Sequence, residues 1–262
     1  MQLKIVMIVC LFLWLTIPTQ SDAIFIPDRQ MLQRYCGRSD VVMLASSGRS
    51  GSTMLTTQLQ KYMNRNKVLK THLLPPESFK GKILFVYSNP DQAAESALFM
   101  TLHRATFGER HFNHMETADR QWLKDIGGAD KQNEEHNLLS IDALGIYEQL
   151  KVWLFTGTQP ARAEKANVLA IKYENLWDHE TIEAIRSFLK LPHFTLPDQL
   201  PRGHKDLFSK EKKFRKIYNL GTKEAPRYAA YDDARCLWEQ SPPFQYLRIS
   251  SEGRPVPSCQ DQ

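Results

Sequence analysis

An apolar run followed at once by a serine- and glycine-rich turn is the strongest constraint on the fold of this chain. Residues 41–45 have the character of a buried strand, residues 46–53 are SSGRSGST, and helical spacing follows. Glycine lets a backbone turn bring its N–H groups close to an anion, and a following helix directs more N–H groups to the same place. The pattern therefore predicts a phosphate-binding loop.

The loop departs from the nucleotide-triphosphatase pattern GxxxxGK[ST]. Aligned on Gly51 and Thr53, that pattern requires glycine at Ser46 and lysine at Ser52. The cation of this loop is instead Arg49, inside the turn. A Walker-type kinase or ATPase is therefore disfavoured.

Length and composition indicate one globular domain. The chain has 262 residues, of which 42% are hydrophobic and 24% charged, enough to bury a full core in a single α/β domain. The net charge of +5 suits an anionic ligand. This excess is too small to indicate nucleic acid as a partner.

The first 23 residues have the pattern of a signal peptide. Lys4 precedes an apolar stretch at residues 5–17, and the small-residue context at 21–23 fits cleavage, which leaves residues 24–262 as the domain. An uncleaved anchor is the alternative, but the apolar stretch is shorter than the roughly 20 residues that span a bilayer. We therefore expect no stable membrane span and a domain that faces the secretory lumen.

The domain contains Cys36, Cys236 and Cys259. In an oxidising lumen, an odd number of cysteines predicts one disulfide and one free or intermolecular thiol. The pairing among the three stays open.

Strand-like and helix-like stretches alternate along the chain. The polar residues 103–137 interrupt this alternation and are interpreted as a substrate-side insertion with short helices. Asp178 is a candidate N-cap and Pro192 a candidate stop for the last helix. The strand-like stretches are 41–45, 67–70, 83–87 and 168–173, and the helix-like stretches are 53–63, 91–102, 141–155 and 181–190. Such alternation predicts a central parallel sheet with helices on both faces.

Polar clusters follow three of the predicted strands. They are the loop around Arg49, the run Lys70-Thr71-His72, and residues 88–96. Ligands of open parallel sheets bind at the carboxyl ends of the strands. The three clusters are therefore expected to converge on one site.

These clusters resemble motifs of the sulfotransferase family. The loop is similar to the 5′-phosphosulfate loop, especially the RSGS form of carbohydrate sulfotransferases, and residues 70–73 match the KTHL run of cytosolic members. Residues 83–96 resemble the second cofactor segment, and residues 171–176, IKYENL, resemble the Tyr-Glu-Asp/Asn-Leu strand. The resemblance covers about residues 41–191.

The resemblance implies a P-loop-like three-layer α/β fold and use of 3′-phosphoadenosine 5′-phosphosulfate as co-substrate, with no metal. His72 would be the catalytic base, assisted by Arg49 and Lys70. Arg49 and the loop N–H groups would hold the 5′-phosphate, and Ser96 the 3′-phosphate. The implied cofactor-binding residues are Gly48, Arg49, Ser50, Gly51, Ser52, Thr53, Ser88 and Ser96.

The chain departs from the family pattern at two places. The arginine that grips the 3′-phosphate in the family would fall at Ser88, and the later Arg-Lys-Gly loop is poorly kept around residues 214–221. A basic run between residues 205 and 216 offers replacement cations, although it equally fits a solvated helix.

The resulting hypothesis is sulfuryl transfer to a hydroxyl or amine acceptor in the secretory pathway, in the Golgi lumen or after secretion. The acceptor would be a glycan, a secreted peptide or a small molecule. One alternative is a sulfotransferase-like binding protein without turnover. The other is a luminal P-loop kinase, which would need a Mg²⁺-holding carboxylate where the chain has Ser88 and Asn89. The oligomeric state stays open.

Overall fold

A six-stranded sheet forms the centre of the computed structural model, which describes residues 28–103, 114–119, 139–197 and 227–258. The strands are β1 (Val42–Ser46), β2 (Val68–Thr71), β3 (Lys82–Tyr87), β4 (Thr158–Pro160), β5 (Val168–Lys172) and β6 (Phe244–Ile249). The α-helices are α1 (Arg29–Gln33), α2 (Ser52–Tyr62), α3 (Pro90–His103), α4 (Ile146–Lys151), α5 (His179–Leu189) and α6 (Asp232–Gln240).

The sheet is mixed, with strand order β2-β1-β3-β5-β6-β4. The pairs β1–β2, β1–β3 and β3–β5 are parallel, whereas β6 runs antiparallel to both β5 and β4. The predicted parallel sheet is therefore present in the four strands that the sequence pattern identified. The C-terminal segment adds the antiparallel part.

Alternate residues of the parallel strands face opposite sides of the sheet. On β1, Met43 packs in a core with helices α3, α4 and α6, whereas Leu44 packs in a second core with α2 and α5. Met43 and Leu44 are both fully buried, which explains why β1 is a continuous apolar run. The expected α/β fold with helices on both faces is confirmed.

The helical pattern at residues 141–155 forms less regular structure than expected. Helix α4 begins only at Ile146, because Gly145 has a positive φ of 61° and the Asp142 carboxylate accepts the N–H groups of Ile146 and Tyr147. A π-helix, Val152–Thr156, continues directly from α4. Single turns of π-helix are often found near functional sites.

Helix α5 begins and ends for reasons other than those predicted from Asp178 and Pro192. Asp178 occupies the N-cap position, but its side chain accepts from the Asn175 amide and makes no capping bond. The helix ends at Lys190, which has a left-handed φ of 57°. The chain therefore leaves the helix before it reaches Pro192.

Several sequence predictions fall on residues outside the described ranges. They are the signal peptide, most of the polar stretch 103–137 and the basic run 205–216. Within the described ranges, Cys36 is a free thiol and Cys236 is disulfide-bonded. No helix of these ranges is long and apolar enough to cross a membrane.

A buried ion pair joins α3 to α6. The Asp91 carboxylate, fully buried, accepts from Nε of Arg235 at 2.7 Å and from Nη2 at 2.9 Å. It also accepts the backbone N–H of Tyr228 at 2.7 Å. The start of α3, which borders the loop, is therefore fixed by the C-terminal part of the chain.

Removal of Asp91 should destabilise the protein strongly. In Asp91→Ala, Arg235 stays buried without its main counter-charge, so we expect the free energy of unfolding to fall by about 3–5 kcal/mol in urea titrations. Asp40→Ala is the matched control, because Asp40 pairs with Arg38 at the surface, and it should leave the urea midpoint essentially unchanged. Similar effects of the two substitutions would show that the buried pair does not join the helices.

Candidate functional site

The loop after β1 is a tight turn that uses the left-handed region repeatedly. Gly48, Arg49 and Gly51 have φ values of 82°, 52° and 68°. Only glycine adopts such values without strain, so the conformation of Arg49 is costly and must be held by the surroundings. Ser50 supplies part of this support, because its buried hydroxyl donates to the carbonyl of Val86 on β3 at 2.8 Å.

Gly51 is required both by its φ and by the ring of Tyr173. A Cβ built at Gly51 would lie 2.2 Å from Cε2 of that ring. Tyr173 directly follows β5, the strand next to β3. The end of β5 therefore also supports the loop. The close approach leaves room for no side chain at Gly51.

Two cations meet at the loop. The Lys70 ammonium, at the end of β2, donates to Oγ1 of Thr53 at 2.8 Å and is only 7% exposed. Burial, and secondly the positive charge of Arg49, lower the pKa of Lys70 to about 8. Two positive charges close together favour the binding of an anion nearby.

The Arg49 side chain connects the loop to α3. Its Nε donates to Oγ of Ser96 on α3 at 2.9 Å. The guanidinium therefore joins the loop to the helix that follows β3. Two of the residues predicted to bind the cofactor are in direct contact here.

The imidazole of His72 lies beneath the loop. Its Nδ1 is 3.0 Å from both the hydroxyl and the carbonyl oxygen of Ser46. Because a carbonyl oxygen only accepts, the proton is on Nδ1 and Nε2 is the basic nitrogen. Burial, and secondly the charge of Lys70, lower the pKa of His72 to about 3, so the ring is neutral at pH 7.

The backbone of the His72 segment is held by residues that the sequence did not reveal. The Gln149 amide donates to the carbonyl of His72 at 3.2 Å, and the Trp153 indole N–H donates to the carbonyl of Leu73 at 3.2 Å. Gln149 is on α4 and Trp153 is on the π-helix. Both residues lie in the helix-like stretch 141–155, whose sequence pattern does not indicate that their side chains bind backbone carbonyls.

The remaining predicted residues occupy the same edge with different partners. Ser52 is buried at the start of α2, and Thr53, the next residue, is exposed. Ser88 is buried after β3, and its hydroxyl has no hydrogen-bond partner among the described residues. The same holds for Ser47, which the sequence did not single out.

The described residues contain no group of three or more histidine, cysteine or acidic side chains that could hold a metal ion.

Comparisons with protein-family models and with curated proteins both find no match. Among solved structures, the chain is similar to mouse sulfotransferase SULT7A1 complexed with PAP. The identity is 16% and the TM-score 0.34, and the match covers 77% of this chain and 74% of that chain.

Gly51→Ala should test the contact between the loop and Tyr173. The added methyl group meets the ring and forces a left-handed alanine, so we expect the free energy of unfolding to fall by about 1–3 kcal/mol in chemical denaturation. Gly37→Ala is the control, since its Cβ would meet nothing within 4 Å, and it should change stability by at most about 1 kcal/mol. Equal stability of the two variants would contradict this loop conformation.

The burial of neutral His72 should make the free energy of unfolding depend on pH. Between about pH 6.5 and pH 3 the unfolded chain binds a proton at His72 that the folded chain does not bind. The free energy of unfolding should therefore fall as pH falls through this window, by up to about 1.4 kcal/mol per pH unit. Urea titrations at several pH values should show that His72→Gln removes this component and that substitution of the exposed His193 does not. An unchanged slope in His72→Gln would contradict the burial of a neutral ring.

Proposed function

We propose that this protein is a sulfotransferase that transfers a sulfuryl group from 3′-phosphoadenosine 5′-phosphosulfate to a hydroxyl or amine. One observation carries the proposal: the buried Lys70 and the partly buried Arg49 lie at a tight strand–loop–helix turn, and the neutral His72 directly follows the strand that carries Lys70. The cations suit a phosphosulfate, and the imidazole suits a proton acceptor. The sequence resemblance to sulfotransferase motifs at these positions supports the same reaction.

The loop and Lys70 bind the 5′-phosphosulfate in this proposal. Backbone N–H groups of residues 48–53, the hydroxyls of Ser52 and Thr53, and the Lys70 ammonium surround the position of the anion. Their role is to orient the group and to offset charge that grows on the bridging oxygen as the sulfur–oxygen bond breaks. Arg49 adds a second positive charge to the same nucleotide.

His72 acts as the general base. The acceptor oxygen or nitrogen attacks sulfur, the bond from sulfur to the phosphate oxygen breaks, and the acceptor proton passes to Nε2 of His72. Without nucleotide, the pKa of His72, about 3, is too low for efficient proton uptake. An anionic nucleotide next to Lys70 and Arg49 offsets two of the charges that lower this pKa, so binding of co-substrate raises the basicity of His72.

A binding protein without turnover is the second candidate, and Ser88 is the observation that favours it. A neutral, buried serine stands where the resemblance implies an arginine for the 3′-phosphate. Loss of such a contact weakens nucleotide binding by about one to two orders of magnitude. Nucleotide binding without product formation would identify this alternative.

The proposed site of action is the secretory pathway, either in the Golgi lumen or after secretion. Support comes from the signal-like pattern of residues 1–23 and from the disulfide of Cys236, which suits an oxidising compartment. Glycans, secreted peptides and small hydroxyl or amine compounds are the acceptors that such a location supplies.

Radiolabelled phosphosulfate with a mixed panel of these acceptors tests the function directly. Label transferred to an acceptor in the presence of the full chain supports the proposal. Tight binding of adenosine 3′,5′-bisphosphate with no transfer to any acceptor favours the binding protein. Failure of the chain to bind this nucleotide at all would contradict both.

His72→Ala should separate binding from transfer. We expect the transfer rate to fall by about two to four orders of magnitude, the usual contribution of a general base, while binding of adenosine 3′,5′-bisphosphate is retained. His179→Ala is the matched control, because His179 is exposed at the start of α5. Wild-type turnover in His72→Ala would remove this residue from the mechanism.

A further inference from the structure

The backbone at His72 lies just past the end of its strand ladder. The pairing of β1 with β2 ends at Ala45 and Thr71, so His72 is the first residue beyond it. A different part of the chain pairs there, because Met115 forms a parallel bridge with His72. The position of His72 therefore depends on residues 114–119 as well as on the sheet.

The 114–119 segment is itself held by two helices and by the run that carries His72. The Glu116 carboxylate accepts the backbone N–H of Leu74 at 2.9 Å and forms an ion pair with α1. Thr117 lies against the start of α4, where a Cβ built on Gly145 would be 2.3 Å from the Thr117 carbonyl oxygen. The segment is thus a fixed support beside His72.

Gln149 connects this support to the backbone of His72. Its amide nitrogen donates to the His72 carbonyl at 3.2 Å and to Oγ1 of Thr117 at 3.0 Å. The Thr117 hydroxyl donates in turn to the carbonyl of Leu144 at 2.9 Å. Because carbonyl oxygens only accept, these partners fix which end of the amide is the nitrogen.

The burial of Gln149 indicates that its N–H donors are what the site uses. The residue is fully buried, and its amide oxygen has no hydrogen-bond partner among the described residues. An amide oxygen buried in this way costs free energy, whereas an apolar side chain of the same shape would avoid the cost. The bonds described for this side chain are both made by its nitrogen.

We propose that Gln149 is a positioning residue for His72: it ties the His72 carbonyl to the 114–119 segment and thereby fixes the direction of Nε2. This inference rests on the proposed function, in which Nε2 takes the acceptor proton. Ser46 holds the ring at Nδ1, and Gln149 holds the main chain from which the ring projects. A base displaced by about 1 Å can lose about two orders of magnitude in rate.

Nitrogen NMR of the full chain with isotope-labelled histidine tests this role without any turnover. It reports which ring nitrogen carries the proton at neutral pH, and His72→Gln identifies the His72 signals. We expect only the Nδ1–H tautomer in the wild type. Gln149→Met keeps the volume but removes both donors, so the backbone is released and the ring shifts from the Ser46 carbonyl that selects the tautomer. Both neutral tautomers of His72 should then be visible.

Gln58→Met is the matched control. Gln58 is also buried, and its amide also donates to a backbone carbonyl, that of Thr195, at 2.6 Å. This variant loses a comparable buried amide and should leave the His72 signals unchanged. Thr117→Val removes the hydroxyl that accepts the second N–H of Gln149. It should produce the second tautomer in smaller amount, and it decides the matter if Gln149→Met does not fold.

Transfer kinetics with any acceptor that the wild type uses give the second readout. Gln149→Met should lower kcat about ten- to hundredfold and leave KM for the phosphosulfate nearly unchanged, because the base is misdirected while the nucleotide site is intact. Gln58→Met should keep the wild-type kcat.

The outcomes separate this inference from the proposed function. A single Nδ1–H tautomer in folded Gln149→Met, an equal change in Gln58→Met, or a wild-type kcat in Gln149→Met overturns the positioning role and leaves the proposed function standing. Absence of transfer by the wild type to every acceptor contradicts the proposed function, and the NMR comparison still decides whether Gln149 orients the ring. A second tautomer that appears in Gln149→Met or Thr117→Val and not in Gln58→Met supports the inference.

Discussion

The parallel alignment of β2, β1 and β3 is the constraint on which the site depends. Parallel pairing brings the carboxyl ends of all three strands to one edge, with Ala45 opposite Thr71 and Ser46 opposite Val86. Residues that are distant in sequence, such as Arg49, Lys70 and Ser96, are adjacent only because of this register. One face of the sheet packs on α2 and α5, and the other packs on α3, α4 and α6. These two cores fix the register, because a slip by one residue would move every side chain of a strand to the opposite face.

The edge so formed concentrates positive charge at a cost in stability. Lys70 is almost fully buried, and its most important charged neighbour is another cation, Arg49. Arg49 also occupies a strained backbone conformation. Interactions elsewhere in the fold offset these costs, such as the buried Asp91–Arg235 pair that fixes α3. The balance is typical of a site preorganised for an anion, since a structure without such a role gains nothing from the arrangement.

The sequence predicted the parts of the site that local patterns encode. The strand–loop–helix unit, the parallel strands and the proximity of residues 49, 70, 72 and 96 follow from apolar runs, glycines and strand ends. The antiparallel strands β4 and β6 were missed because β4 is short and β6 mixes polar with apolar residues. The contact of Tyr173 with Gly51 and the donors at Gln149 and Trp153 depend on tertiary packing, for which sequence spacing carries no signal.

The support of His72 shows how tertiary packing positions a segment through its backbone carbonyls. Gln149 and Trp153 are four residues apart, and their donors reach the carbonyls of two consecutive residues, His72 and Leu73. The second of these donors lies in the π-helix, where the wider turn shifts side chains relative to an α-helix. Because Ser46 also contacts Nδ1, His72 is held both at its backbone and at one ring nitrogen. The remaining nitrogen, Nε2, is the one that the proposed chemistry requires.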